Sequence, residues 1–152
     1  MYNTQTPFAA SYVIVKNDEG LMAFVLRENT SWMNGYYSLP AGKTEKRESF
    51  RACAAREAKE EIGISVEPSD LKHAITVHRY SISDDAPDTE WIDILFEVIK
   101  YSGTVRNAEP HIHSEVAWLD PRNLPVNVIP SLKATVEALA RGERYFEYGY
   151  EK

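Results

Sequence analysis

The stretch GKTEKRESFRACAAREAKEEIGI, residues 42–64, is the most informative segment of this 152-residue sequence. Within it, apolar side chains recur at every fourth position, at Phe50, Ala54, Ala58 and Ile62. This spacing predicts a helix over residues 47–62 that buries one face. Gly63 stands in the position that commonly ends such a helix.

Three glutamates of the predicted helix share one face, because Glu57, Glu60 and Glu61 stand at positions i, i+3 and i+4. With Cβ atoms about 5–6 Å apart, each pair of carboxylates repels by roughly 0.7 kcal/mol in water and about 3 kcal/mol at an effective dielectric of 20. A divalent cation turns this repulsion into attraction, and oxygen ligands without His or Cys favour Mg²⁺ or Mn²⁺. Taken alone, however, the fragment is also typical of a solvated helix face.

The wider pattern of residues 42–64 favours the metal site. Gly42, Glu48 and residues 56–64 match the spacing GX5EX7REUXEEXGU, in which U is apolar, at every fixed position. The chain therefore resembles the Nudix hydrolases. This resemblance implies an α/β fold, an α/β/α sandwich with a mixed central sheet flanked by helices. Arg47 departs from common usage, since many members have glycine before the first glutamate, and this bears on the conformation of the loop.

The resemblance also implies roles for individual residues. The metal ligands are expected to be Glu57, Glu60, Glu61 and the backbone carbonyl of Ala41. Arg56 matches the arginine that positions Glu60, and Glu48 matches a glutamate that serves as an auxiliary ligand or organises water. The general base is left open between Glu57 and a glutamate of a later loop.

Two later glutamates are candidates for that base or for a further ligand. Similar enzymes often place an acidic residue just before a short late strand, where this sequence has Glu115 as first candidate and Glu109 as second. His111 and His113 lie between them, but two histidines without a third ligand are weak evidence for zinc.

Candidates for substrate contacts lie outside residues 42–64, the segment with the Nudix spacing, which we call the box. Arg27 is a candidate for the phosphates, Tyr36 for stacking on a base, and Asn127 for reading a base. Trp32, Tyr37 and Trp91 are further stacking candidates. Each has a structural alternative as a surface, core, turn or capping residue.

The composition bounds the class of protein. With 43% hydrophobic and 26% charged residues, the chain is expected to form one soluble domain over residues 1–152. A formal charge of −6 without a basic cluster argues against a nucleic-acid partner. No apolar run is long enough to span a bilayer, and the start lacks a signal peptide. The single cysteine, Cys53, suits a reducing compartment and predicts a cytoplasmic protein.

Periodicity predicts the remaining elements. Strands are expected at residues 8–15, 21–27, 73–82, 91–101 and 115–120, and a second helix at 131–141. The first two strands are expected to form a hairpin, residues 29–43 to be mostly loop and residues 83–90 a loop, and the aromatic tail after residue 144 to pack against the body.

These features predict a Mg²⁺-dependent hydrolase that cleaves a diphosphate linkage, converting a nucleoside triphosphate, intact or damaged, into a monophosphate and pyrophosphate. The alternatives are a hydrolase of ADP-sugars or dinucleoside polyphosphates, one acting on RNA 5′ ends, and a nucleotide sensor without turnover. A homodimer is left open, since Nudix domains often dimerise.

Overall fold

A computed structural model describes residues 4–83 and 86–151 of the chain. In that part, the elements follow in the order β1 (Phe8–Ile14), β2 (Met22–Arg27), β3 (Tyr37–Ser38), β4 (Ala41–Lys43), α1 (Phe50–Ile62), β5 (Leu71–Ser83), β6 (Ala86–Val98), β7 (His113–Leu119), α2 (Pro130–Ala140) and β8 (Tyr145–Tyr148). A short 3₁₀ turn, Pro68–Asp70, leads into β5.

The strands form two sheets. The larger has the order β4-β1-β6-β5-β8, and the smaller the order β3-β2-β7. In the larger sheet β1 runs parallel to β6 and β8 runs parallel to β5, whereas the pairs β1–β4 and β5–β6 are antiparallel. The prediction of an α/β fold with a mixed central sheet and flanking helices is therefore confirmed.

The predicted hairpin between the first two strands is wrong. The two strands meet only near the turn, where Lys16 bridges Met22 and the amide of Ala23 donates to the carbonyl of Val15. Beyond it β1 continues beside β4 and β6, while β2 continues beside β3 and β7. Consecutive residues are buried in both strands, Val13 and Ile14 in β1 and Met22 to Val25 in β2, so other elements cover both faces of each strand.

Two hydrophobic clusters hold the layers together. One lies between the larger sheet, β2 and α2, with Ile14, Phe24, Ile75, Leu95 and Leu132 among its buried members. The other lies under α1, where Ala54, Ala58 and Ile62 of the predicted stripe meet Val13, Val25 and Phe96. The predicted buried face of the box helix is thus the face that fixes its glutamates relative to β1 and β4.

Helix α1 begins three residues later than the spacing predicts. The hydroxyl of Ser49 caps it by accepting a hydrogen bond from the amide of Ala52 at 3.1 Å, and Gly63 ends it in the left-handed conformation, φ 72°. Arg47 has φ 64° and therefore belongs to the preceding turn. In that turn the amide of Glu48 donates to the carbonyl of Glu45 at 3.0 Å.

The prediction of a loop at residues 83–90 is wrong, whereas residues 29–43 are mostly loop as predicted and contain two short strands. Residues 29–43 include β3 and β4, which are short and carry few apolar residues. Of the acidic segment 83–90, residue 83 belongs to β5 and residues 86–90 to β6, whereas residues 84 and 85 lie outside the described residues. The tail does pack against the body as predicted, since β8 adds to the edge of β5 and Phe146 and Tyr148 contact the core.

Candidate active site

Arg56 is the centre of an ion-pair network on α1. Its Nε and one Nη donate to the two carboxylate oxygens of Glu48 at 2.7 and 2.8 Å. The other Nη donates to Glu57 at 2.8 Å and to Glu60 at 3.3 Å. The sequence predicted that Arg56 positions Glu60, and the geometry adds that its shortest and bidentate contact is with Glu48.

Arg56 also binds the chain that precedes the helix. An Nη donates to the carbonyl of Lys43 at 3.2 Å, directly after the box glycine. Because of Arg56, the pKa of the Glu48 carboxyl is lowered to about 2. Glu48 therefore stays ionised and its position is fixed by the guanidinium.

Glu57 and Glu61 face the loop that carries Ala41 and Gly42. The amide of Ala41 donates to a carboxylate oxygen of Glu61 at 3.1 Å. A Cβ at position 42 would overlap the carboxylate of Glu57, so only glycine permits this approach. The two carboxylates are only 8% exposed, whereas Glu60 lies at the exposed edge.

The surroundings of Glu57 and Glu61 disfavour the ionised form of both carboxylates. Burial, opposed by Arg56 and assisted by Glu60 and Glu109, raises the pKa of Glu57 to about 7. Burial and the neighbouring charge of Glu57 raise the pKa of Glu61 well above its usual range. A cation bound here offsets both effects, because it supplies the positive charge that the cluster lacks.

The later loop brings Glu109 to this cluster. The amides of Arg106 and Ala108 donate to the carbonyls of Ile62 and Glu61 at the end of α1, at 3.0 and 3.1 Å. The charge of Glu109 acts on both Glu57 and Glu61. Of the two later glutamates, the second candidate is therefore the one beside the box.

Glu115, the first candidate, lies elsewhere. It stands on β7 opposite Leu26 and accepts a hydrogen bond from the hydroxyl of Tyr37, which raises the pKa of Tyr37 to about 12. The sequence did not distinguish the two glutamates, because it predicted that this strand starts at Glu115. The strand begins at His113, so Glu115 lies inside it and not in the loop before it. His113 is buried, its Nδ1 has no hydrogen-bond partner in the part of the chain that the structure describes, and burial lowers its pKa to about 4.

The donor set fits a hard divalent cation. Within the described residues, no three His, Cys, Asp or Glu side chains already stand as a formed metal site. Mg²⁺ is ordinarily held by one or two carboxylates together with substrate phosphates and water. Among the described residues, Glu57 and Glu61 each use one oxygen in a hydrogen bond, with Arg56 and Ala41 respectively, and the second oxygen is available to a metal.

A cavity of about 750 Å³ opens beside the box loop. Its walls include Ala41, Gly42 and Lys43 of β4, Arg27 at the end of β2, Trp32 of the loop that follows β2, and Tyr12, Arg79 and Trp91 of the larger sheet. This volume is in the range of small-molecule sites. Lys43 and Arg79 were missed by the sequence reasoning, and the only signal for Arg79 was a charged residue inside an apolar strand.

The predicted substrate residues divide between the cavity and the core. Arg27 lines the cavity, but its guanidinium donates to the carbonyl of Trp32 at 2.9 Å and to the hydroxyl of Thr30 at 3.2 Å, and so holds this loop. Tyr36 packs against the core, and the side-chain amide of Asn127 donates to the carbonyl of Gly35. Trp32 and Trp91 line the cavity as the stacking hypothesis requires.

A family model described as the NUDIX domain matches residues 6–139, which is most of the chain. The chain belongs to the Nudix hydrolase family. The predictions of family and of a hydrolase are thereby confirmed. Among the described residues of this Nudix hydrolase, no helix has the length and apolar composition that crossing a bilayer requires.

Solved structures of the family share its fold. The MutT Nudix hydrolase from Burkholderia pseudomallei is 23% identical, with a TM-score of 0.74 over 88% of this chain and 98% of that one. The MutT protein from Methanosarcina mazei Go1 is 21% identical, with a TM-score of 0.76 over 92% of this chain and 98% of that one.

A curated relative is matched over part of the sequence. The NAD-capped RNA hydrolase NudC from Mycobacterium bovis is 33% identical over 87 residues, which cover 52% of this chain. The matched region spans 27% of that relative's length.

Proposed function

We propose that this Nudix hydrolase is Mg²⁺-dependent, or Mn²⁺-dependent, and cleaves the diphosphate linkage of a nucleoside triphosphate, intact or damaged, into a nucleoside monophosphate and pyrophosphate. The observation that carries the proposal is the pair of buried carboxylates, Glu57 and Glu61, directed at the glycine loop beside a cavity of nucleotide size. Stability alone does not favour such a pair, whereas binding of a cation and a phosphate chain does.

Glu57, Glu61 and Glu60 would hold the metal, with the carbonyl of Ala41 as the proposed fourth ligand. When bound, the metal supplies neutralisation of the diphosphate oxygens and a lower pKa for water. Arg56 keeps Glu57 and Glu60 in place through its contacts with both, and Glu48 anchors Arg56. Glu48 therefore acts in this proposal as a positioning residue.

The reaction needs a group that takes one proton. Water forms a bond to phosphorus while the bond between that phosphorus and the bridging oxygen breaks, and pyrophosphate leaves with the bridging oxygen. Glu57 and Glu109 are the two proposed acceptors, because both belong to the carboxylate cluster and the pKa of each is raised by burial. Glu115 is a weaker candidate, since it is hydrogen-bonded to Tyr37.

The test is an assay of a nucleotide panel with Mg²⁺, with Mn²⁺ and with chelator, in which phosphate and pyrophosphate are detected separately. We expect Glu57→Gln and Glu61→Gln to lower kcat by at least about 100-fold. Glu137→Gln, an exposed change on α2, is expected to retain the wild-type rate. A folded Glu57→Gln protein with full activity contradicts the assignment, and nucleotide binding without product throughout the panel favours a sensor.

A second candidate substrate class comes from the NudC relative, whose name describes it as acting on NAD-capped RNA. NAD and NAD-capped RNA therefore belong in the panel, with an ADP-sugar and a dinucleoside polyphosphate. The formal charge of −6 disfavours long RNA, since nucleic-acid backbones are bound through basic surfaces. We accordingly propose a small nucleotide as the partner, with no nucleic acid or membrane.

Location and assembly are part of the same proposal. Cys53 is the single cysteine of the sequence and is buried as a free thiol, which supports a reducing compartment such as the cytoplasm. A homodimer is proposed on family grounds, and light scattering at micromolar concentration measures it.

A further inference from the structure

Arg79, which lines the cavity, forms a buried ion pair with Asp93 that the proposed reaction does not use. Nε of Arg79 donates to Asp93 at 2.7 Å, and an Nη donates to the other carboxylate oxygen at 3.3 Å. The two side chains are only 8% and 5% exposed. Removing both charges from water costs about as much as their attraction returns, so such a pair is weak evidence for a stabilising role.

The register of the larger sheet places this pair on the cavity side. Arg79 of β5 stands opposite Trp91 of β6, and Asp93 of β6 stands opposite Ala10 of β1. Paired residues and residues two apart along a strand share one face, so these four side chains lie on the same face of the sheet. Arg79, Trp91 and Ala10 all line the cavity, and the guanidinium lies over the Trp91 ring at 4.8 Å from its centre.

The surroundings hold the guanidinium in one place. Burial lowers the pKa of Arg79, but the hydrogen bonds and charges of Asp93 and Tyr12 together outweigh it, and the pKa is raised. The buried hydroxyl of Tyr12 lies beside the same group, and burial raises its pKa. Arg79 therefore enters a complex already oriented, which lowers the entropy cost of binding.

The Arg79–Asp93 pair has no net charge, but Arg79 keeps N–H groups that can donate to a ligand in the cavity. Asp93 neutralises Arg79 and takes hydrogen bonds from Nε and one Nη, while an arginine has five N–H donors and no acceptor. The remaining polar groups of this neutral pair are N–H donors, which suit the acceptor oxygen of a base better than they suit a charged phosphate. The proposed function assigns the phosphates to the carboxylate cluster of Glu57 and Glu61, beside Ala41 and Gly42, which also line the cavity.

We propose that Arg79, held by Asp93, is a specificity-determining residue that donates to the carbonyl oxygen of a keto nucleobase bound in this cavity. The inference rests on the proposed function for the position of the phosphates. A base with an amino group at the same position brings donors against donors, which leaves buried polar groups unpaired. The enzyme is then expected to prefer hypoxanthine or guanine over adenine, and uracil over cytosine.

The test compares substrate pairs that differ in the oxygen or amino group, ITP with ATP and UTP with CTP. For the wild-type enzyme we expect kcat/KM to be about tenfold higher for the keto member of each pair. Arg79→Lys retains the charge but loses the planar, forked set of guanidinium N–H donors. Arg79→Met combined with Asp93→Leu removes both members of the pair, so that no unpaired charge stays buried. In both variants the preference is expected to fall to about one, mainly through KM.

The matched control is an exposed pair outside this cavity, Arg122 and Asp120, hydrogen-bonded at 3.1 Å. Arg122→Gln with Asp120→Asn is expected to keep the wild-type preference. Thermal unfolding of each variant identifies those that fold, and if the double variant does not fold, Arg79→Lys alone decides. An unchanged preference in a folded Arg79 variant overturns the proposal.

A second measurement does not depend on turnover. IMP and AMP are titrated into metal-free protein, with the fluorescence of Trp32 and Trp91 as the signal. We expect tighter binding of IMP by the wild type and equal binding by Arg79→Lys. Equal affinities in the wild type overturn the proposal even if the protein is an active hydrolase. A preference for IMP together with no hydrolysis in the panel supports the base site while the proposed reaction fails.

Discussion

At the scale of single residues, Glu57 gives the metal-free protein a pH-dependent stability. Its pKa is about 7 in the folded chain, above the value of about 4.3 of an unfolded chain. Between these values the folded state retains a proton that the unfolded state has lost, so the free energy of unfolding falls as pH rises. We expect Glu57→Gln to reduce this slope in urea unfolding between pH 4.5 and 7.5 with chelator present.

The control for this prediction is Glu137→Gln, which removes an exposed carboxylate of α2 and is expected to keep the wild-type slope. If Glu57→Gln also keeps that slope, the carboxylate does not titrate near pH 7 in the metal-free fold.

Gly42 supports a second prediction at this scale. An alanine there would overlap the carboxylate of Glu57, which is the far end of a flexible side chain and can move away. We expect Gly42→Ala to change the free energy of unfolding by less than about 1 kcal/mol. The misplaced carboxylate is expected to lower kcat/KM by about 100-fold.

Gly20 gives the opposite pattern. It has φ 78° in the turn after β1 and open space around it. Gly20→Ala is therefore expected to lower stability by about 1 kcal/mol while kcat/KM stays at the wild-type value. Equal activity of the two variants contradicts the close approach of Gly42 to Glu57.

At the scale of elements, the turn before α1 contains a strained residue. Arg47 has φ 64° and lies inside the turn, which is closed by the hydrogen bond from the amide of Glu48 to the carbonyl of Glu45. A non-glycine residue in this conformation costs roughly 1–2 kcal/mol. Arg47→Gly is expected to raise the free energy of unfolding by about 0.5 kcal/mol, because part of the gain is lost to the flexibility of glycine in the unfolded chain.

Arg47→Ala separates the backbone effect from the side chain. It keeps the strain and is expected to give no gain in thermal or urea unfolding. A gain of the same size from alanine assigns the effect to the arginine side chain instead.

At the scale of the whole molecule, metal binding and folding are linked. A cation that binds only the folded chain adds about 2.7 kcal/mol to the free energy of unfolding at 100 times its dissociation constant. We expect Mg²⁺ to raise the melting temperature of the wild-type protein in a concentration-dependent way. Glu57→Gln combined with Glu61→Gln is expected to abolish this rise, and Glu137→Gln to preserve it. Equal Mg²⁺ shifts in all three proteins place the cation elsewhere.

The sequence by itself determined the box helix, its buried stripe and the family. It did so because a helix places residues three and four apart on one face, so the spacing of Ala54, Ala58 and Ile62 carries the geometry within 13 residues. The same local rule predicted Gly63 as the end of the helix. The long strand around Leu95 was also predicted, since β-branched and aromatic residues recur through it.

Only the tertiary structure decided which partners these elements meet. The separation of β1 and β2 into two sheets depends on β6 and β7, which are distant in the sequence. The choice of Glu109 beside the box depends on hydrogen bonds from its loop to the end of α1, and the burial of Arg79 with Asp93 depends on strand register. Such contacts join residues far apart in the chain, and no local spacing encodes them.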